Sequence, residues 1–182
     1  DSLAGFTGMA LVIYADTPLV TASTLDRLAQ AIDDGADIAV LGFQADNPVG
    51  YGRLVTKPDN SLVKIVEHND ATRAEQEITL VNGGIMAVRC PLLFELLAKV
   101  KPDNAKGEIY LTDIVQLANA QNLHVTTCTI TEDEIAGVNS RQDLAHIEAI
   151  LQTRLRHAAM QQGVTMIAPE TVFLSADARF AR

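Results

Sequence analysis

Cysteines and long apolar runs are scarce in this chain. The 182 residues contain only two cysteines, Cys90 and Cys128, each inside an apolar, strand-like run. We therefore expect buried free thiols rather than a disulfide or a metal site. No apolar run approaches the roughly 18 residues that a membrane-spanning helix needs. Residues 1–5 show no basic segment of a signal peptide, so we expect a cytoplasmic protein with no membrane partner.

Basic residues are also scarce. Lys and Arg number 14 against 23 Asp and Glu, which gives a formal net charge of −9. This balance argues against a nucleic-acid partner, because phosphate backbones are bound by basic surfaces. The negative charge does not exclude binding of anionic small molecules, since a divalent cation can neutralise a polyphosphate where the protein does not.

The composition and the order of apolar runs predict a globular α/β protein. The hydrophobic share is 48% and the charged share 20%, which is ordinary for a domain with a buried core. Met9–Tyr14 predicts a strand, residues 21–34 an amphipathic helix and residues 37–43 a buried parallel strand. The chain is therefore expected to begin β–α–β.

The rest of the chain continues this alternation. Residues 54–56 and 62–66 predict a hairpin, followed by a polar stretch that forms a loop or short helix. The further predicted elements are a strand over 78–89 interrupted by Asn82-Gly83-Gly84, helices over 91–100, 109–122 and 140–162, a strand over 124–129, and a β-rich segment over 164–174.

Two polar residues stand where a metal site is plausible on chemical grounds. Asp16 follows the first strand, and ligands of open α/β sheets bind at the carboxyl ends of strands. Asn139 precedes the long C-terminal helix. Carboxylate and amide oxygens suit Mg²⁺, which binds through one or two side chains plus substrate phosphates. The alternatives are a helix cap or a turn for Asp16 and a helix cap for Asn139.

Three further positions have either a structural or a binding interpretation. Gly50 opens Gly50-Tyr51-Gly52, which is either a plain turn or a close backbone approach to a ligand. Glu67 is either a solvated carboxylate or an acceptor for sugar hydroxyls. Asn82 begins Asn82-Gly83-Gly84, where glycines within a strand mark a bulge or a close ligand.

Six segments occur in an informative order. They are Tyr14-Ala15-Asp16-Thr17-Pro18-Leu19, Gly50-Tyr51-Gly52-Arg53, Ile65-Val66-Glu67-His68-Asn69-Asp70-Ala71, Val81-Asn82-Gly83-Gly84, Asn104-Ala105-Lys106-Gly107-Glu108-Ile109-Tyr110-Leu111-Thr112-Asp113 and Gly137-Val138-Asn139-Ser140-Arg141. Together they resemble the uridyltransferase domain of the bacterial bifunctional N-acetylglucosamine-1-phosphate uridyltransferase/glucosamine-1-phosphate acetyltransferases. The resemblance runs from about Met9 to the C-terminus, and residues 167–172 resemble the start of that family's left-handed β-helix.

The resemblance implies a Rossmann-like nucleotidyltransferase fold with a mixed sheet. It implies synthesis of UDP-N-acetylglucosamine, a precursor of peptidoglycan and lipopolysaccharide. The phosphate of N-acetylglucosamine-1-phosphate attacks the α-phosphorus of UTP, with Mg²⁺ as cofactor, and pyrophosphate leaves. These two substrates and the product are the implied partners, and the full-length family is a homotrimer organised by the β-helix.

Individual residues carry over by their place in the motifs. Asp16 and Asn139 match metal ligands, and Asn139 is also a substrate contact. Gly50, Glu67 and Asn82 match positions that hold the N-acetylglucosamine and ribose part of the nucleotide sugar. Lesser contacts are implied for Tyr14 and Thr112.

The sequence also departs from the family pattern. Ala15 replaces a usual Gly, and Leu80 replaces a frequent acid. We find no opening strand followed by a Gly-rich loop with Arg and Lys, and only a hint of the acetyltransferase repeats. We therefore expect a partial nucleotidyltransferase domain over residues 1–162, then a linker and the beginning of the β-helix over residues 163–182.

The missing loop leads to an expectation about activity. This chain alone should show little or no turnover, because nothing in it matches the triphosphate loop. The alternative is a non-catalytic remnant that binds ligand weakly or self-associates through the sheet edge that a lost strand leaves. A different nucleotidyltransferase would share the Asp at a strand end, but it would not explain the segment around Gly107-Glu108.

Overall fold

A mixed sheet of six strands lies at the centre of the computed structural model, which describes residues 5–102 and 107–180. The strands are β1 Met9–Val12, β2 Ile38–Gln44, β3 Arg53–Thr56, β4 Leu62–Val66, β5 Leu80–Arg89 and β6 Val125–Ile130. The helices are α1 Ala22–Asp33, α2 Arg73–Gln76, α3 Leu92–Leu97, α4 Asp113–Ala120, α5 Glu132–Ile135 and α6 Arg141–Gln161. The predicted α/β class is confirmed.

The chain divides into two compact units. Unit 1 comprises Asp1–Ala15 and Val20–Ile135, and unit 2 comprises Asp16–Leu19 and Ala136–Arg182. Unit 1 holds the whole sheet and the first five helices, whereas unit 2 is built on α6. The domain division expected from the sequence, at residues 162 and 163, stays a prediction.

The sheet of unit 1 is organised around β5. Its order is β4-β3-β5-β2-β6, and β1 pairs with β5 beside this path. Both β1 and β2 run antiparallel to β5, and β2 runs parallel to β6. β1 and β2 are therefore parallel to each other, as expected for a β–α–β start, but β5 lies between them in the sheet. The predicted hairpin is the antiparallel pair of β3 and β4.

A bulge interrupts the pairing of β5 with β2. Val40 lies opposite Met86, but Gly42 lies opposite Asn82, so one β2 residue faces three residues of β5. Gly84 lies within this stretch with φ of 79°, in the left-handed region that glycine adopts without steric cost. The strand is continuous rather than broken, and its glycines serve the bulge.

Apolar residues cover both faces of the sheet. Alternate residues of β2 point to opposite faces, so Ile38 and Val40 join one core cluster while Ala39, Leu41 and Phe43 join the other. The first cluster contains residues of α3 and α4, and the second contains residues of α1. A strand covered on both faces needs a continuous apolar run, which β2 has.

The two cysteines have no disulfide partner, as expected. Cys90 is buried, and Cys128 is only half-buried. Burial raises the pKa of the Cys128 thiol, an effect that nearby Arg27 partly offsets. Among the described helices, none is long and apolar enough to cross a membrane.

The β-rich prediction for residues 164–174 is wrong. The described part of this segment contains no strand, only a 3-10 turn at Pro169–Thr171. Side chains of α6 take the place of a neighbouring strand: Gln152 exchanges two 2.8 Å hydrogen bonds with the backbone of Leu174, and Arg156 donates to the carbonyl of Val172 at 3.1 Å. The expected start of a left-handed β-helix is therefore not visible in the described residues.

Candidate functional site

One edge of β5 has a gap between two partner strands. β2 pairs with one edge of β5. The opposite edge, which has the gap, is shared by β3, which pairs at Val81, and β1, which pairs from Met86 to Arg89. Residues 82–85 lie between them with no strand partner on this edge among the described residues. Asn82 and Gly84, which the sequence singled out, lie in the gap. The ends of β1 and β4 bring Tyr14 and Glu67 to the same region.

The carboxylate of Glu67 lies at the centre of this region. The hydroxyl of Thr112 donates to its Oε1 at 3.0 Å. A Cβ on Gly52 would lie 3.4 and 3.5 Å from its two oxygens, so any side chain at position 52 would be in van der Waals contact with the carboxylate. Thr112 is the residue before α4, but its hydroxyl makes no helix-capping bond. The hydroxyl therefore serves Glu67 instead of the helix.

Asn82 and Tyr14 belong to the same set of contacts. The Asn82 backbone N–H donates to the carbonyl of Gly52 at 2.8 Å, and its side-chain oxygen accepts from the N–H of Gly84 at 2.9 Å. The Asn82 amide nitrogen has no hydrogen-bond acceptor among the described residues. A Cβ on Gly84 would overlap the ring of Tyr14. Tyr14, Glu67, Asn82 and Thr112 are thus brought together around Gly52 and Gly84.

Gly52 is the residue that sequence reasoning missed. Gly50 has φ of 87°, and a Cβ there would meet nothing within 4 Å, so its contacts are those of a turn. Gly52 is buried, touches Glu67 and accepts from Asn82. Its own N–H donates to no acceptor among the described residues. The sequence signal was the second glycine of the same motif. Gly50 as a substrate contact stays a prediction.

Arg53 directly follows the Gly50-Tyr51-Gly52 loop and is only 1% exposed. Its guanidinium makes few contacts. It donates to the carbonyl of Tyr51, to the carbonyl of Gln76 at 3.4 Å, and contacts Nδ1 of His68 at 3.4 Å. Nε has no partner, and no carboxylate within the described ranges forms an ion pair with Arg53. The burial of this arginine was not predicted from the sequence.

The surroundings of Glu67 are acidic. Burial, and secondly the charge of Asp70, raise the pKa of the Asp113 carboxyl. Desolvation also raises the pKa of Tyr110, and nearby carboxylates, including Glu67, add to the effect. Among the described residues no three His, Cys, Asp or Glu side chains form a metal-binding group. The Asn104-Ala105-Lys106 part of the fifth motif lies outside the described residues.

Asp16 and Asn139, the predicted metal ligands, both belong to unit 2. The N–H of Val138 donates to the Asp16 carbonyl at 2.8 Å. A Cβ on Gly137 would lie 3.6 Å from the Asn139 amide nitrogen and 3.8 Å from the Asp16 carbonyl oxygen. The two residues are therefore neighbours although they lie far apart in the sequence. Both side chains are exposed.

The beginning of α6 fixes the position of Asn139. Ser140 is the N-cap, and its hydroxyl accepts from the N–H of Asp143 at 3.1 Å. The carboxylate of Asp143 in turn accepts from the Asn139 N–H at 3.1 Å. The Ser140 hydroxyl, and secondly the Asn139 N–H, hold the pKa of Asp143 below its usual value. The helix is therefore capped by Ser140, and capping does not use the side chain of Asn139.

Comparison with known proteins gives consistent matches. No protein-family model matches the chain. It is 51% identical over 181 residues to the bifunctional protein GlmU of Maricaulis maris, covering 100% of this chain and 40% of that protein. It is 50% identical over 188 residues to GlmU of Rhodospirillum rubrum, covering 100% of this chain and 41% of that protein. The chain is homologous to part of GlmU. It spans about 40% of the length of these curated relatives.

Solved structures agree on the fold. A CMP:2-keto-3-deoxy-manno-octonic acid synthetase complexed with CTP matches with a TM-score of 0.58 at 17% identity, over 80% of this chain and 62% of that one. A protein assigned as a glucose-1-phosphate thymidylyltransferase of Bacillus anthracis matches with a TM-score of 0.57 at 15% identity, over 91% of this chain and 59% of that one. The chain therefore has the Rossmann-like nucleotidyltransferase fold that the sequence resemblance implied.

Proposed function

We propose that this chain forms part of an enzyme that makes UDP-N-acetylglucosamine from UTP and N-acetylglucosamine-1-phosphate. The observation that carries the proposal is the convergence of Glu67, Asn82, Thr112 and Tyr14 on the gap beside β5. The similarity to GlmU supports the same proposal, because the sequence resemblance to the uridyltransferase family implies this activity.

The chemistry of these groups suits a sugar. The Glu67 carboxylate accepts one hydrogen bond from Thr112 and has room for donors on the side of Gly52. The Asn82 amide nitrogen and the Gly52 N–H supply donors. Sugar hydroxyls both donate and accept, so a carboxylate beside two N–H donors can recognise the positions of adjacent hydroxyls. The Tyr14 ring, packed on Gly84, offers an apolar face.

Asp16 and Asn139 are the proposed Mg²⁺ ligands, and their chemistry fits the ion. One carboxylate and one amide oxygen are hard donors, and such a small set is typical of Mg²⁺ sites that substrate phosphates complete. The neighbouring backbone positions of Asp16 and Asn139 support this pairing. Bound Mg²⁺ would neutralise phosphate charge and act as a Lewis acid.

The proposed reaction needs no covalent intermediate with the protein. An oxygen of the sugar phosphate forms a bond to the α-phosphorus of UTP. The bond from that phosphorus to the oxygen that bridges the α- and β-phosphorus atoms breaks, and pyrophosphate leaves. The contribution of Glu67, Asn82 and Gly52 would be to hold the sugar so that its phosphate is oriented for this attack. Positioning of this kind supplies a large part of the catalysis of phosphoryl transfer.

Titration with UDP-N-acetylglucosamine tests the proposal without relying on turnover. We expect the backbone amide signals of Gly52, Glu67, Asn82 and Gly84 to shift in ¹H–¹⁵N spectra. Glu67→Gln keeps the shape but removes the charge, and it should weaken binding. UDP-glucose, which lacks the N-acetyl group, is the matched ligand control. The absence of shifts at these four residues would refute the proposed sugar site.

We also propose a cytoplasmic location, where the nucleotide substrates are present, and the homotrimer that the family resemblance implies for the longer proteins. Cell fractionation and the mass of a native full-length relative test the two proposals.

A second candidate function is self-association through β1. This strand pairs only with β5 among the described residues, and Leu11 and Ile13 are 37% and 45% exposed. An apolar strand with an unpaired edge favours pairing with a second copy. Sedimentation at increasing concentration tests this, and Leu11→Lys should shift the population toward monomer. A monomer at every concentration would exclude it.

A further inference from the structure

Arg53 is a buried charge that the proposed function does not use directly. A guanidinium withdrawn from water normally needs an anionic partner and full hydrogen bonding. Among the described residues Arg53 has neither, because its acceptors are two carbonyls and one imidazole and its Nε has none. An arrangement this costly suggests a task that an apolar side chain would not perform.

Three segments around the site meet at this guanidinium. The carbonyl of Tyr51 belongs to the loop before β3, His68 follows Glu67 at the end of β4, and Gln76 lies at the end of α2. Arginine is always protonated and has only donors. The guanidinium is therefore the donor in its contact with Nδ1 of His68. One planar group thus links the glycine loop to the segment that carries Glu67.

The bond to Tyr51 has a consequence for Gly52. The Tyr51–Gly52 peptide is trans, since the one cis bond in the described chain precedes Pro91. The C=O and N–H of a trans peptide point in opposite directions. Holding the Tyr51 carbonyl therefore fixes the direction of the Gly52 N–H. That N–H has no acceptor within the described residues, and a Cβ on Gly52 would lie 3.4 and 3.5 Å from the Glu67 carboxylate oxygens.

We propose that Arg53 is a positioning residue that orients the Gly52 N–H beside the Glu67 carboxylate, so that the two offer a donor and an acceptor to one sugar ring. The inference rests on the proposed function, because the ligand is the sugar of a nucleotide sugar. Arg53 itself does not touch the ligand.

Arg53→Lys tests this role, and Arg89→Lys is the matched control. Lysine keeps the charge but loses the planar fork that reaches two carbonyls at once. Arg89 also donates to two backbone carbonyls, those of Ile32 and Ala36, but it lies at the opposite end of β5. Arg53→Gln, which brings no charge into the interior, is the second variant if Arg53→Lys does not fold.

Two measurements are made on each variant. The first is the position of the Gly52 amide signal without ligand, and the second is the dissociation constant for UDP-N-acetylglucosamine. We expect the Arg53 variants to move the Gly52 signal and to weaken binding by about tenfold, the usual effect of losing one well-oriented hydrogen bond. Arg89→Lys should leave both unchanged.

The outcomes separate the inference from the function. If Arg53→Lys binds as tightly as the wild type, leaves the Gly52 signal in place, or weakens binding no more than Arg89→Lys, the inference is overturned and the proposed function stands. If the wild type itself does not bind UDP-N-acetylglucosamine, the proposed function fails and the inference fails with it.

Discussion

Replacing each glycine of the Gly50-Tyr51-Gly52 motif by alanine should separate ligand binding from stability. In Gly52→Ala the new methyl group lies 3.4 and 3.5 Å from the Glu67 oxygens and 3.2 Å from Ile65 Cγ2. The Ile65 contact requires a shift of a few tenths of an ångström. Alanine also restricts the unfolded chain, which stabilises by about 0.4–1 kcal/mol where φ permits. We therefore expect the free energy of unfolding to change by less than about 1 kcal/mol.

Binding should respond much more strongly than stability. The methyl group covers the side of the Glu67 carboxylate that a sugar hydroxyl must approach. Losing one hydrogen bond to a charged group costs about 1.5–3 kcal/mol, which is about 10- to 150-fold in affinity. Gly50→Ala should instead lower the stability and leave binding nearly unchanged. Its φ of 87° makes alanine unfavourable by about 1–2 kcal/mol, while the methyl group meets nothing within 4 Å.

Urea unfolding and calorimetric titration with UDP-N-acetylglucosamine measure the two effects on the same samples. We expect weak binding with near wild-type stability for Gly52→Ala, and lower stability with near wild-type binding for Gly50→Ala. If Gly50→Ala loses affinity while Gly52→Ala keeps it, the assignment from contacts is wrong and the sequence-based prediction for Gly50 is right.

Three further substitutions test the surroundings of the site. Thr112→Val removes the hydroxyl that donates to Glu67; we expect about 1 kcal/mol lower stability and weaker nucleotide-sugar binding, and unchanged binding would separate Thr112 from the site. Gly84→Ala should lower the free energy of unfolding by at least about 1–2 kcal/mol because of its positive φ, and an unchanged urea midpoint would contradict the bulge. Lys64→Met removes the main cause that lowers the Glu75 pKa from 4.5 to about 2. The lowered pKa contributes stability to the folded protein above about pH 4.5, and this contribution is lost as the pH falls toward 2. The difference in the free energy of unfolding between wild type and variant should therefore shrink on acidification.

The sequence predicted the elements whose determinants are local. The β3–β4 hairpin follows from two apolar runs around a turn, and α6 follows from Ser140 at its N-cap and an apolar face. The pairing of β1 with β5 was not predictable, because it depends on contacts between residues more than 70 positions apart, as in Met9 opposite Arg89. The strand prediction for residues 164–174 was wrong because side chains of α6 bond the backbone of Val172 and Leu174, and the N–H of Thr171 and that of Val172 bond to local carbonyls.

The candidate site was predictable to the level of motifs but not of atoms. The resemblance identified Glu67 and Asn82, and the structure brings both together with Thr112. It could not distinguish Gly50 from Gly52, since the sequence contains no information about which glycine lies against a carboxylate. The burial of Arg53 was also hidden, because an arginine at the start of a strand is normally exposed.

Three departures from local structural rules occur in this one region of unit 1. Gly84 has a positive φ in the middle of a strand, Thr112 stands at a helix N-cap without capping it, and Arg53 is buried without an acidic partner among the described residues. A buried arginine without an acidic partner and a helix start without a side-chain cap each cost stability, and the positive φ at position 84 restricts that position to glycine. Sequences tend to violate local rules where function demands it. All three departures lie next to Gly52, Glu67 or Asn82, whereas β2 and the cores around it follow the rules. These departures therefore support the binding site that we propose in the gap beside β5.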